Sequence, residues 1–202
     1  MLTLHYCSNS RAQRVLWLLE ELDLPYNLNK IKFHPSELKS EKHRKIHPLG
    51  RVPVLEDKDV TIYESGAIIE YLISRHSDGS LKPKVEDEKF PQYLQWFHYC
   101  EGMIMPPMNT IVVHTLILPE ERRNEEVLRQ ARNLLSKALL PVNDLLADNK
   151  YLIDKFSGAD FMLGHSLYMS NNLGCISDEM TNIKKYIDLL MSRSSFVKAI
   201  NT

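Results

Sequence analysis

Two short motifs, Val52-Pro53 and Glu64-Ser65-Gly66, carry the residue types from which a site for a small peptide-like anion can be built. Proline has a fixed φ and no backbone N–H, so ahead of a strand it is tolerated chiefly at an edge, a first position or a special turn. A cis Val52-Pro53 bond after the Gly50-Arg51 turn would present the backbone groups of Val52 to a ligand. Eleven residues beyond Pro53, Glu64-Ser65-Gly66 runs into the apolar stretch Ala67, Ile68, Ile69, Tyr71 and Leu72. That pattern places a hydroxyl and bare N–H groups at a helix start, where an anion binds well, with an acid beside them. The chemistry suits a molecule with a peptide-like middle and, at one end, a carboxylate and an ammonium group.

The elements that must position these residues follow from periodicity. Residues 2–6 alternate as a strand does, and from Ser10 the apolar positions Val15, Leu18, Leu19 and Leu22 fall at helical spacing. Asp23-Leu24-Pro25 ends that helix, residues 26–31 suit a second strand, and the polar residues 34–46 form an irregular or short helical link. Residues 53–56 and 60–62, joined by Asp57-Lys58-Asp59, predict a hairpin, and a helix follows from Glu64 to about Arg75. The order βαβ then ββα makes an α+β layer over residues 1–76, closed by a turn-rich linker at 77–84.

Residues 85–202 show no strand pattern and predict an all-helical domain. Helix is expected over residues 87–115, broken near Met105-Pro106-Pro107, and over 120–148, bent at Pro141. Further helices are expected to start near Ser157 and Glu179, with a short one at the end. Ser157 and Asp160 have the spacing of a reciprocal cap, the serine accepting from a backbone N–H while the acid reaches back, with Phe156 and Phe161 as its hydrophobic staple.

Composition narrows the functional classes. The 202 residues suffice for two small domains with a real core, and 25 basic against 26 acidic residues imply neither a nucleic acid nor a membrane surface as partner. Cys7, Cys100 and Cys175 are odd in number and widely separated, which fits a reduced cytoplasmic chain better than a disulfide framework. There is no leader pattern and no apolar run of the ~18 residues that a membrane span needs.

Taken in order, Val52-Pro53, Glu64-Ser65 and the Ser157–Asp160 cap make the chain resemble the cytosolic glutathione transferase family over its whole length. The YCEGMIMPPM segment at 99–108 is similar to bacterial and fungal members of one branch. The resemblance implies a thioredoxin-like N-terminal domain with a mixed sheet, an all-α C-terminal domain forming a hydrophobic co-substrate site, and a homodimer. Glutathione, as substrate, matches the ligand chemistry described above. On the same ground Val52 pairs its backbone with the cysteinyl part, Pro53 is cis, and Glu64 and Ser65 hold the γ-glutamyl end. Arg51 is the candidate for the glycyl carboxylate, ahead of Lys39 and His34. The implied activity is activation of the glutathione thiol for attack on a small hydrophobic electrophile.

Family members supply a Tyr, Ser or Cys near the end of the first strand to activate that thiol, and here the region is Tyr6-Cys7-Ser8-Asn9-Ser10-Arg11. Ser10 is the first choice as hydrogen-bond donor, with Ser8 and Asn9 behind it, although Ser10 to Gln13 also reads as a capping box. Cys7 offers a competing chemistry. Its Cys-x-x-Ser layout resembles monothiol glutaredoxins and omega-like transferases, and a lowered thiol pKa would permit disulfide exchange with glutathione. An inward Cys7 would be an inert core residue. A non-catalytic binding protein on this fold is the third reading. His43 and His47 have helical metal spacing, but Pro48 and the lack of a third ligand exclude a metal. Met103, Met105 and Met108 suit either an adaptable apolar pocket or plain packing.

Overall fold

The computed structural model describes residues 1–202. By its internal contacts the chain forms two compact units, Met1–Lys82 with Leu190–Thr202, and Pro83–Leu189. The transition at 82–83 lies inside the expected linker. Residues 190–202 do not extend the helical domain as anticipated but belong to the first unit.

The first unit holds β1 (Leu2–Tyr6), α1 (Ala12–Glu21), β2 (Tyr26–Lys30), α2 (Pro35–Leu38), α3 (Glu41–Arg44), β3 (Val54–Asp57), β4 (Val60–Tyr63) and α4 (Ser65–His76). Its mixed sheet has the order β2-β1-β3-β4, with β1 parallel to β2 and the other pairs antiparallel. The register sets Leu4 beside Leu28 and Leu55, and Leu4 and Leu55 are fully buried. Lys58, at φ 53°, turns the tight hairpin between β3 and β4.

Spacing along α1 pointed to one apolar face, yet every residue from Ala12 to Leu19 is buried. The last helix of the chain accounts for the difference. Phe196 packs on Trp17 with ring centroids 4.5 Å apart, Gln13 Nε2 donates to the Ile200 carbonyl at 3.2 Å, and the Arg193 guanidinium pairs with Glu21. A side chain that looks superfluous in a local pattern is here covered from a distant part of the sequence.

The second unit begins with α5 (Phe90–Tyr99), α6 (Met105–Val112) and α7 (Glu125–Asp148). At Met105-Pro106-Pro107 the helix does not break. A π-helical turn over Cys100–Ile104 widens the ring so that Met105 N–H reaches the Cys100 carbonyl, and the prolines fall in the first turn of α6, where missing donors matter least. Met105 and Met108 are consequently core residues, their sulfurs accepting hydrogen bonds from Ser166 and Ser170, and of these three methionines Met103 alone is exposed. The long helix starts later than residue 120, because Asn124 Oδ1 accepts from Glu126 and Val127 N–H at 3.0 and 3.1 Å and caps it there. It continues through Pro141, which sits on the exposed side.

The unit continues with α8 (His165–Asn172) and α9 (Thr181–Met191), whose end passes into the first unit, where α10 (Ser194–Ile200) lies. Ahead of α8, a π turn spans Asp160–Gly164. The cap there is partly as expected. Asp160 accepts from Ser157 N–H at 2.8 Å, and Phe156 stacks on Phe161 at 5.0 Å, but the Ser157 hydroxyl donates to the carboxylate instead of accepting from the backbone. Leu152 N–H and the Tyr186 hydroxyl also donate to Asp160. No helix is long and apolar enough to cross a membrane.

Asp160 is fully buried, and burial outweighs these donors to hold its carboxyl up at about 6. Because the folded protein retains this proton more tightly than the unfolded chain, its contribution to stability falls as pH rises from about 4 to 6, by on the order of 3 kcal/mol, and is level above that. Denaturant melts of the parent and Asp160→Asn should therefore show their stability difference shrinking across that window; a constant difference refutes the assignment.

Candidate functional site

A cleft in the first unit is lined by Arg11, His47, Arg51, Val52, Pro53, Glu64 and Ser65. Four elements build it. The end of the β1–α1 turn brings Arg11, the loop after α3 brings His47 to Val52, Pro53 leads into β3, and the start of α4 brings Glu64 and Ser65.

The loop is held by side chains rather than by the sheet. The Val52–Pro53 peptide bond is cis, β3 begins only at Val54, and the Val52 backbone has no partner within the chain. His43 Nε2 donates to the Arg51 carbonyl at 2.8 Å, and Leu49 N–H donates to His47 Nδ1 at 3.2 Å. Gly50 adopts φ +59°, and a Cβ there would lie 2.3 Å from the Leu38 carbonyl oxygen, so only glycine lets the turn close against α2. The two histidines considered for a metal are thus braces of this turn. Both rings are buried, and the His47 ring lies 4.6 Å from that of Tyr63.

At the start of α4, Glu64 occupies φ 75°, ψ 114°, an uncommon backbone state for a residue with a side chain, and its carbonyl accepts the first helical hydrogen bond from Ile68. Ser65 is buried, and its Oγ accepts from Arg14 Nη1 at 3.1 Å. With that lone pair engaged, the Ser65 proton is available to an acceptor. Arg14, itself fully buried, adds a positive charge behind the N-terminus of a 12-residue helix, an arrangement that can hold an anion.

The candidates for activating a thiol are placed differently. The Ser10 hydroxyl donates to the Cys7 carbonyl at 2.6 Å and accepts from Ala12 N–H at 3.2 Å, so its proton is engaged in closing the turn. The anticipated capping box is half formed, since Gln13 reaches Ile200 and not Ser10. Ser8 and Asn9 are exposed, Asn9 at φ 56°. Tyr6 is buried, and burial pushes its phenol up. Cys7 is only 4% exposed, and burial, with the charge of Glu37, pushes its thiol up, the opposite of activation.

Of the three candidates for a terminal carboxylate, only Arg51 lines the cleft. His34 Nδ1 caps α2 by accepting from Ser36 N–H at 3.3 Å, and Lys39 stands exposed at the far end of that helix. The sequence assigned neither Arg11 nor Arg14 to the ligand site, and it weighed His47 only as a metal ligand. Arg11 and Arg14 sit one helical turn apart at the start of α1, a spacing that was readable, whereas the partner of Arg14 lies 51 positions away.

The family model for the glutathione S-transferase N-terminal domain matches residues 2–74, and that for the C-terminal domain matches residues 104–194. The chain is 28% identical to glutathione S-transferase 3 of Schizosaccharomyces pombe, covering 96% of this chain and 84% of that protein. It is 26% identical to glutathione S-transferase 1 of Saccharomyces cerevisiae, covering 97% and 92%. Its fold matches the crystal structure of a glutathione transferase homolog from Lodderomyces elongisporus, with two GSH per subunit, at a TM-score of 0.90 and 19% identity over 99% of this chain and 97% of that one. Both of its domains are accounted for by these matches, and the chain belongs to the glutathione S-transferase family of enzymes.

Proposed function

We propose that the cleft binds glutathione and that the protein joins it, through its sulfur, to small apolar electrophiles. The observation that carries this reading is the pairing of a ladder-free Val52 with a Ser65 hydroxyl whose oxygen is already held by Arg14. An extended peptide can add to the Val52 backbone, and the α-carboxylate of a γ-glutamyl group can accept from Ser65 and the α4 N-terminus. Glu64 then meets the ammonium, and Arg51 the glycyl carboxylate. Glutathione is bound in the Lodderomyces homolog, which supports the same ligand here.

The thiol of glutathione, with a pKa near ~8.5, is a few per cent ionised at neutral pH, and lowering it by one unit takes ~1.4 kcal/mol of anion stabilisation. One hydrogen bond to the sulfur anion, worth ~1.5–3 kcal/mol, is enough. We assign this donor to the β1–α1 turn. Ser10 can provide it by releasing the Cys7 carbonyl, and Ser8, exposed in the same turn, by releasing the Tyr6 hydroxyl. The thiolate then attacks the electrophilic carbon, a C–S bond forms, and the leaving group departs with its electron pair. The proposal includes a homodimer and a cytoplasmic location, the latter in keeping with three free cysteines; light scattering returning a monomer refutes the former.

Conjugation of a chloronitroaromatic tests these roles. Glu64→Gln should raise KM for glutathione about tenfold or more, the scale of one charge-assisted contact, with a smaller effect on kcat; an unchanged KM removes Glu64 from the site. Ser8→Ala and Ser10→Ala separate the donors, because the true one lowers kcat and shifts its pH profile to higher pH, while a purely structural serine lowers thermal stability alone. For the disulfide-exchange alternative, alkylation of the folded protein near neutral pH should spare Cys7 and Cys100 and label Cys175 first, since only the last is partly exposed. Rapid labelling of Cys7 would reinstate the redox reading.

A further inference from the structure

His47 has no part in the chemistry above, yet it lines the cleft, is 4% exposed as a residue and lies in the loop that ends at Val52. A backbone N–H, that of Leu49, donates to its Nδ1. A donor at that position requires a lone pair on Nδ1, so the ring is neutral and carries its single proton on Nε2. Protonation puts a second N–H where the lone pair was, and two donors then face each other inside the Leu49 turn.

We propose that His47 is a positioning residue whose neutral imidazole holds the 47–52 turn in its ligand-ready shape, so that glutathione affinity is set by the protonation state of this one side chain. The inference rests on the reading of the cleft as the glutathione site. It stands on the position of the acceptor atom within the turn and on the short path from Leu49 to the backbone of Val52.

The surroundings fit a ring kept neutral. Burial lowers the pKa of His47, and the neighbouring His43 and Arg51 act in the same direction, while Glu64 and a hydrogen bond to the residue's own backbone oppose them. These groups face it from α3, the loop and the start of α4, Tyr63 packs on it from β4, and Arg11 lines the same cleft from the β1–α1 turn. His43 is a different case, because its Nε2–H donates to the Arg51 carbonyl, a contact that needs no lone pair on the ring. Free glutathione has no titration between pH 5 and 7, since its carboxyls ionise at ~3.3–4.3 and its thiol at ~8.5, and the lowering of the thiol pKa on binding is common to the parent and the His47 variants, so it cancels when they are compared.

Asparagine can replace the acceptor without the titration, because its side-chain carbonyl reaches the N–H two residues on, as in an Asx turn. The experiment is calorimetric titration of glutathione into the parent, His47→Asn and His47→Ala between pH 5 and 7.5, each variant first checked by thermal melting. The parent's Kd should rise roughly three- to tenfold toward pH 5, the scale of one lost hydrogen bond. His47→Asn should bind like the parent at pH 7.5 and show a clearly smaller rise, only the part that comes from the glutathione thiol, and His47→Ala should bind weakly throughout. In turnover, the same loss should appear in KM for glutathione with kcat at saturation nearly unchanged. A His47→Asn variant that retains the parent's pH dependence, or a parent whose Kd is flat, overturns the proposal; should His47→Ala not fold, the asparagine variant alone decides. A parent that binds no glutathione at pH 7.5 sinks the glutathione reading itself, a result distinct from either.

Discussion

A site that recognises peptide through backbone groups must keep those groups out of its own sheet and still hold them still. In the proposed glutathione site this constraint falls on residues 47–52. Pro53 offers no N–H to the ladder, so β3 starts one residue later, and Val52 is left with unshared donor and acceptor. The order that the sheet does not supply comes from side chains: His43 on the Arg51 carbonyl, His47 on Leu49 N–H, and Gly50 set tightly against the Leu38 carbonyl. Each is a local contact of modest strength, and each acts on the same few backbone atoms.

The opposite wall is built by the converse arrangement, in which a regular element is bent at its first residue to aim a side chain. Glu64 holds a backbone state that costs roughly 1–3 kcal/mol for a residue with a Cβ. The packing of α4, with Ile68, Ile69 and Leu72 fully buried, over-determines it. Arg14 then fixes Ser65 from behind, linking α1 to α4 through one hydrogen bond at the floor of the cleft. Because α1 is itself enclosed by the sheet, α4 and α10, the terminal helix supports the site without lining it.

The second unit solves a related problem, that of polar groups inside a helical core. The Cys100 thiol lies 3.0 Å from the Ser166 hydroxyl and 3.2 Å from the Met162 carbonyl, and Asp160 collects four donors. The π turns at Cys100–Ile104 and Asp160–Gly164 fall at these polar cores, where a wider ring admits a proline pair in one case and precedes a cap network in the other.

By itself the sequence determined whatever depends on near neighbours along the chain. Strand alternation, the Gly50 and Lys58 turns, the proline ahead of β3, the Glu64-Ser65 helix start and the Asp160 back-bond are all written in windows of a few residues, since backbone sterics and capping act over that range. Tertiary structure decided which polar atoms remain available. The Ser10 proton is turned to the Cys7 carbonyl, Cys7 is closed off, and Met105 and Met108 are swung into the core by a π turn that no local rule specified. Arg14 meets Ser65 across 51 positions, and Phe196 covers Trp17 from the far end of the chain. Such pairings follow from how elements pack, and packing sums many weak contacts between residues far apart in sequence, which no window along the chain contains.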